Sequence, residues 1–387
     1  MNILFVHEVD WQKKVVYDVH LLAEAMSKRG HKVYAIDYSE VVKPKIQISK
    51  RVINGACVRL VHPWHAKTMG LNRLTAFVSH FGMIGGLIIK RNIDAIILYS
   101  VPTNGLQVLY WADKFGIPVY FRSLDILHKL VHYPALSFMT KKMEAFVYKN
   151  VDRVLTITPR LSEYVIKLGA HRSKVSFLPM TVDTKLFCPM SKNLELMARW
   201  GIRDGDSVVL FMGTLFNFSG LDGIIRNFGH VLKIVPSAKF MIVGDGEQRK
   251  CLENLIDEYG LRNKVIITGF QSYQDMPSYI NISDVCINPF ISNDITKDIF
   301  PGKIVQYLAC AKSVIMRPLD GVKAVIEGTE QGVVYAKDDM AITASLVCLL
   351  QSKQPREALG ANGMGYARQV HDCIKVATKL ENIIGEL

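Results

Sequence analysis

Short apolar runs alternate with amphipathic stretches along the whole of this chain. In the first half, Ile3–Val9, Lys32–Asp37, Cys57–His62, Ala95–Ser100, Val119–Leu124, Arg153–Thr158 and Lys174–Leu178 are brief and largely apolar, which predicts strands. Between the first two, Val19, Leu22, Ala23, Ala25 and Met26 share one helical face, and Gly30 stands where a helix C-terminus favours it. The second half opens with the run from Ser207 to Leu215 and continues with Lys239–Val243, Lys264–Thr268, Val285–Phe290, Ser313–Met316 and Gly332–Tyr335, separated by helical stretches. Past Ala341 the pattern is helical to the end. Such alternation predicts an α/β chain whose parallel sheets are covered by helices, with ligands bound beyond the carboxyl ends of the strands. That rule puts His7, Glu8, Asp10 and Trp11, in the loop after the first strand, on a ligand-facing edge.

A length of 387 residues suggests two or three domains, and a 49% hydrophobic content supplies their cores. Only 21% of residues are charged and there are no low-complexity tracts or repeats, which excludes a disordered or solenoid chain. The seven cysteines are scattered without a C-x-x-C pair, as suits reduced thiols, and no zinc site follows. The strand-like Ile3–Val6 leaves no room for a signal peptide, so the expected location is the cytoplasm.

The net charge of +12 calls for an anionic partner or surface. No nucleic-acid-binding module or basic, aromatic-interleaved array is present, so nucleic acid is not expected. An anionic bilayer is the other candidate. Leu74–Ile89 is nearly uncharged, contains Gly82, Gly85 and Gly86, and is flanked by Lys67, Arg73, Lys90 and Arg91. It is shorter than the roughly 20 apolar residues a membrane span needs. Either it is a helix packed in the N-terminal core, or it lies partly in a membrane interface at the inner face of the cell membrane.

The densest candidate chemistry is the run from Asp298 to Ala309, Asp-Ile-Phe-Pro-Gly-Lys-Ile-Val-Gln-Tyr-Leu-Ala. A strand ending at Phe290 leads through a polar loop to Pro301, Gly302 and a helix from Lys303 to Ala311. Free N–H groups and the positive dipole end make such a helix start an anion site, to which Lys303 adds a full charge. The alternative is an ordinary connection with a solvated lysine. Val243 to Glu247 is a glycine-rich turn that includes Gly244, but Arg249 stands where a dinucleotide fingerprint needs its third glycine.

The chain resembles the family-four glycosyltransferases, nucleotide-sugar enzymes with two facing Rossmann-like domains. Their donor-site signature runs acid-Gly-Phe-(Gly or Pro)-x-x-x-x-acid into a helix, and Asp298, Phe300, Pro301, Tyr307, Leu308 and Ala309 fall in register with it. The second acid is here the amide Gln306. The crossing between domains is matched more broadly: Asp152 to Thr158, then Lys174 to Leu178, then Pro179, Val182, Asp183, Phe187 and Pro189. In relatives the strand matching Ser207–Gly213 is followed by an Arg and a Lys that bind the diphosphate. Here Thr214 to Leu221 carries neither cation.

The resemblance implies α/β domains of GT-B type at 1–182 and 183–365, with a final helix at 366–387 crossing back to the N-terminal domain. It implies transfer of a hexose-type sugar from a UDP- or GDP-sugar to a glycan or lipid-linked acceptor, with retention and no obligatory metal or other cofactor. Asp298 would accept hydrogen bonds from the donor sugar and Gln306 would bond the ribose. Gly213, Thr214, Gly244, Phe300, Pro301, Gly302 and Lys303 would line the donor, with the N–H groups at Gly213–Thr214, the helix start near Gly302 and Lys303 itself left to meet its phosphates. Phe270 with Tyr273 would hold the base, or Phe270 is a core residue. His7, Glu8, Asp10 and Trp11 would face the acceptor. Asp125 matches the Asp of a His-Asp pair near the reacting carbon, with Leu124 in the His position and His128 one turn on. Asp125 is a catalytic group or a helix cap, and His128 is a catalytic imidazole or a structural one. Two alternatives remain: a glycosyltransferase-like scaffold that lost activity with its cations, and a two-Rossmann sugar-nucleotide epimerase.

Overall fold

The computed structural model describes residues 1–12, 16, 18–38, 47–64, 66, 71–131 and 133–386, without the side chains of 47 and 72–74. Lys67 and the side chains of Arg73 and Leu74, singled out above, lie outside that set. The chain divides into two compact units, 1–181 with 373–387, and 182–372.

The first unit contains β1 (Asn2–Val6), α1 (Asp18–Lys28), β2 (Lys32–Ile36), β3 (Gln47–Ile53), β4 (Ala56–His62), α2 (Leu71–Arg91), β5 (Ala95–Leu98), α3 (Gly105–Phe115), β6 (Val119–Ser123), α4 (Pro134–Asn150), β7 (Arg153–Thr156), α5 (Pro159–Lys167) and β8 (Val175–Phe177). Among the described residues its sheet has eight strands in the order β3-β4-β2-β1-β5-β6-β7-β8. All neighbours pair in parallel except β3 with β4, a hairpin whose first strand, β3, was not among the expected ones. It turns at Asn54 (φ 47°) and Gly55 (φ 83°), a two-residue loop that both residues enter with little strain.

Side chains of a strand alternate between faces, and β1 shows the consequence. Ile3 and Phe5 join one core layer with α1, whereas Leu4 and Val6 join the layer covered by α2, α3 and α4. The stretch expected at Leu74–Ile89 extends to the full α2. Met83, Ile84, Leu87 and Ile88 pack inward, while Phe77, Val78, Phe81 and Ile89 face water. Gly85 leaves room for the Trp111 indole of α3, since a Cβ there would come within 2.6 Å of the ring. The Trp111 N–H then donates to the Phe81 carbonyl at 2.8 Å.

The second unit contains α6 (Leu194–Arg199), β9 (Ser207–Met212), α7 (Leu221–Ile234), β10 (Ala238–Val243), α8 (Arg249–Glu258), β11 (Val265–Gly269), α9 (Met276–Ile282), β12 (Val285–Asn288), α10 (Lys303–Ala309), β13 (Ser313–Met316), α11 (Asp320–Lys323), β14 (Val333–Tyr335), α12 (Asp339–Gln351) and α13 (Lys353–Tyr366). Its six-stranded sheet is parallel throughout, in the order β11-β10-β9-β12-β13-β14. After α13 a π-helical turn, Ala367–His371, and Asp372 end this unit. The last helix, α14 (Cys373–Gly385), belongs to the first unit, where Val376, Ala377 and Leu380 pack into the α1 core layer. No disulfide joins any of the seven cysteines.

Candidate active site

In the second unit the chain runs outward from β9 through β10 to β11, then returns to β12 on the other side of β9. A parallel sheet opens a crevice at such a reversal, past the carboxyl ends of the two strands. Gly213 follows β9 there, and Pro289 and Phe290 follow β12. α10 is tied into the same place by Tyr307, whose hydroxyl accepts the Met212 N–H at 2.7 Å.

The first side chain of α10, Lys303, reaches into that reversal. Its ammonium nitrogen lies 4.0 Å from the centre of the Phe211 ring and 4.3 Å from that of Phe290. The nitrogen is buried and has no hydrogen-bond partner, which removes the solvated-lysine alternative. Two ring faces attract a cation but do not replace its hydration, and burial draws Lys303 down to about 7. The role of Gly213 is steric: at φ 136° a Cβ there would approach the Lys303 nitrogen to 2.7 Å. Its own N–H donates to the Val243 carbonyl at 2.9 Å, so this expected phosphate donor is committed to the sheet. Gly244, at φ 154°, packs directly on the Gly213 carbonyl, where any Cβ would collide. Thr214 is exposed at the rim.

Asp298 is half-buried in the loop before α10, and Gly321 lets the backbone of α11 press against its carbonyl. Phe300 and Pro301 are buried, whereas Gly302 and Gln306 stay partly accessible. Phe270 is 67% exposed and therefore not a core residue. Tyr273 is half-buried, its ring edge-on to Phe187 at 5.4 Å. Asp298, Gln306 and Lys303 thus share one loop and helix, with Gly213, Thr214 and Gly244 at the neighbouring strand ends.

The first unit has its own reversal, between β1 and β5. The Glu8 carboxylate accepts the Thr103 N–H at 2.7 Å across it, and the His7 ring stacks on Tyr99 at 5.3 Å. Asp10 accepts the Gln12 N–H at 2.9 Å. Trp11 does not face a ligand: it is wholly buried, 4.6 Å from the His20 ring, because the loop turns its indole into the α1 core layer.

Beyond β6, Asp125 is half-buried, and burial pushes its carboxyl up to about 6. It caps nothing: the short 3₁₀ turn Leu127–Leu130 has no side-chain cap. Glu144 of α4 takes that duty instead, accepting the N–H groups of Leu127 and His128 at 3.0 and 3.3 Å. His128 bonds through Nδ1 to the same carboxylate at 2.8 Å.

Arg122, at the end of β6, was not among the sequence candidates. It is fully buried and bonds Asp18 of α1 through Nε and Nη2, each at 3.0 Å, and donates to the Leu178 and Pro179 carbonyls. Asp18 also accepts from Tyr99 and from Thr181. Burial works against ionised Asp18, yet the Arg122 charge and these hydrogen bonds hold its carboxyl below the ordinary range. The sequence carries no local sign of a pair so far apart along the chain.

Two α/β units, each with polar groups gathered where its parallel sheet reverses, define the fold class of the GT-B glycosyltransferases. The profile described as "Glycosyltransferase Family 4" matches residues 15–186, and that described as "Glycosyl transferases group 1" matches 193–365. Among similar proteins, the alpha-monoglucosyldiacylglycerol synthase of Acholeplasma laidlawii is 23% identical over 89% of this chain and 86% of its own. The alpha-D-kanosaminyltransferase of Streptomyces kanamyceticus is 27% identical over 89% of this chain and 92% of its own. The sucrose-phosphate synthase of Thermosynechococcus elongatus superposes with a TM-score of 0.79 at 17% identity, covering 100% of this chain and 98% of its own. Anabaena HepE in complex with UDP-glucose does so at 0.76 and 16%, covering 100% of both. The chain belongs to the family-four-type, GT-B glycosyltransferases.

Proposed function

We propose that this glycosyltransferase moves a hexose-type sugar, with retention and without an obligatory metal, from a UDP- or GDP-sugar to a lipid-linked or glycan acceptor. The observation that carries the donor reading is the buried, unpartnered Lys303 nitrogen at the β9–β12 reversal. An amine so placed lacks a counter-ion, and a diphosphate supplies one together with hydrogen-bond acceptors. The two cations that relatives carry after the equivalent of Gly213 are absent here, and Lys303 takes over their charge from α10. Asp298 holds the sugar hydroxyls and Gln306 the ribose, since an amide both accepts and donates. UDP-glucose in the HepE complex and diacylglycerol in the name of the Acholeplasma relative support this donor class and a lipid-type acceptor.

The lipid-linked acceptor is favoured over a soluble one by the surface of the first unit. No described helix is long and apolar enough to cross a membrane. α2 contains no acid, and the single acid of α4, Glu144, is buried. Outward from these helices stand Phe77, Val78 and Phe81 with Lys90 and Arg91, and Phe138, Met139 and Phe146 with Lys142 and Lys149. Aromatic and basic side chains without acids on these two helices suit an anionic headgroup layer, which supports a peripheral position at the inner face of the cell membrane.

Incubation of the full chain with UDP- and GDP-sugars, read by thermal shift and by slow donor hydrolysis, tests the donor. Stabilisation and hydrolysis by one sugar nucleotide are expected. A chain that neither binds nor cleaves any of them would overturn the reading.

A further inference from the structure

The amino ends of β12 and β13, at the edge of the second sheet opposite the Lys303 crevice, hold a separate group of charges. Asp284 stands just before β12 and Lys312 just before β13, and the two strands pair from Val285 and Ser313 onward. Asp284 accepts the Val208 N–H through Oδ2 at 2.8 Å. Its Oδ1 lies 3.5 Å from both Lys192 Nζ and Arg356 Nη2, too far for a strong bond to either. Lys312 is largely buried, which draws its pKa below the ordinary lysine value, and it donates to the Asn281 and Ser283 carbonyls at 3.1 and 2.7 Å. It leaves a turn in which Ala311 takes φ 55°, a left-handed conformation that alanine seldom adopts, and Gly360 of α13 packs on the Ala311 carbonyl.

These groups border a cavity of about 570 Å³, lined by four cations, Lys192, Lys312, Lys353 and Arg356, against two acids, Asp284 and Glu357. Glu357 lies 3.7 Å from Lys353, one turn away on α13, so Asp284 is left to Lys192, Lys312 and Arg356. α13 begins here without a side-chain cap, and its positive dipole end adds to the excess. Helix capping explains part of the cluster. Lys312 closes the end of α9, and Arg356 donates through Nη1 to the Leu349 carbonyl of α12 at 2.9 Å. It explains neither Lys192 nor Lys353, and it leaves one hydrogen of the Lys312 ammonium without an acceptor. A space of this size suits a small molecule, and a phosphate monoester near neutrality carries about −1.5 to −2, which matches four cations against two acids.

We propose that this cavity is a second ligand site, apart from the donor crevice, for a phosphate monoester. The phosphate meets Lys192, Lys312 and Arg356, and the apolar lining, Met190, Ala361 and Met364, meets its carrier. The site is built from the second unit alone and stands or falls independently of the transferase reading.

The test titrates the full chain with inorganic phosphate and with phenyl phosphate in a calorimeter. Both should bind, phenyl phosphate the more tightly, and uncharged phenol should not. Lys192→Glu with Lys353→Glu, at exposed positions that spare the two capping cations, should weaken binding by more than about tenfold. Lys192→Gln with Lys353→Gln should do so in smaller measure and serves if the charge reversal folds poorly. Lys303→Met should leave binding in place, which separates this cavity from the donor crevice. Vesicles of phosphatidic acid present the same monoester on a lipid. Recruitment that needs Lys192 and Lys353, where the dissolved probes do not bind, would assign the phosphate to a headgroup and uphold the site. Affinity unchanged in both double variants, binding abolished by Lys303→Met, or no binding of any phosphate probe would overturn the proposal and leave the cluster a set of helix caps.

Discussion

An amine with two phenyl rings for neighbours and no hydrogen-bond partner has lost most of its hydration, so its neutral form gains ground. The folded pKa of Lys303, about 7, lies below the unfolded value of 10.5. Over that interval the unfolded chain binds the extra proton, so this residue makes stability rise as pH increases from about 7 to about 10. A diphosphate against the nitrogen favours the charged form and reverses the penalty. UDP-glucose is a suitable probe because its phosphates are diesters that do not titrate near neutrality. Its affinity, measured by calorimetry, should fall as pH is raised above 7. Lys303→Met should weaken it by about 1–3 kcal/mol and flatten the pH dependence. The same substitution should raise the Tm of the empty protein at pH 6–7, since a buried charge has been removed. Unchanged affinity would assign the charge to another group, Lys297 being the nearest along the chain. Asp298→Ala should instead abolish transfer while sparing nucleotide diphosphate binding, and normal turnover in that variant would remove its assigned role. The importance of Lys303 was legible in the sequence from its place after Pro301 and Gly302. Its burial was not, because Phe211 lies on β9 and Phe290 just past β12, both far from it along the chain. Trp11 failed in the opposite direction: a loop residue at a strand end looks ligand-facing until the core behind it is seen.

At the scale of elements, apolar runs sufficed wherever a strand is covered on both faces. They missed β3, which lies at the sheet edge and reads Gln-Ile-Ser-Lys-Arg-Val-Ile, polar at alternate and adjacent positions. The signal that could have found it is Asn54-Gly55, the preferred pair for a tight hairpin, between Ile53 and Ala56. Helix positions were legible from periodicity, but what pins them is not. The Asp18–Arg122 pair joins the start of α1, the end of β6 and the segment 178–181, with both side chains wholly out of water. Removing one partner leaves an uncompensated buried charge and usually costs about 3–5 kcal/mol. Arg122→Met should therefore lower unfolding stability by that order in denaturant titration. Asp18→Leu with Arg122→Met should recover part of the loss, because no lone charge remains. A single variant as stable as the wild type would show that the pair does not pin these elements.

At the scale of the molecule, the two-unit α/β division was legible because strand and helix signals recur twice with a proline-rich crossing between them. The assignment of α14 to the first unit came only from resemblance, since amphipathicity states that a helix packs but not where. Net charge behaves likewise: +12 is visible in composition, whereas its distribution needs the fold. α2, α3 and α4 cover one core layer of the first unit, α3 in contact with both its neighbours. Their outward side chains therefore adjoin, with Tyr110, Lys114 and one exposed acid, Asp113, of α3 between the aromatic and basic residues of α2 and α4. Each basic residue near an anionic surface contributes about 1 kcal/mol, and salt screens it within about 8–10 Å. A handful acting together with inserted aromatic rings holds a protein reversibly. Flotation with vesicles containing phosphatidylglycerol should recover the full chain at low salt and less of it as salt is raised. Neutral vesicles should recover little. Lys90→Glu with Arg91→Glu should weaken the charge-dependent part. Phe138→Ser with Phe146→Ser should weaken the part that survives salt, since these rings are exposed and their loss leaves the core intact. Protein left wholly in the soluble fraction under all conditions would remove the membrane surface and leave a soluble glycan or small molecule as the acceptor.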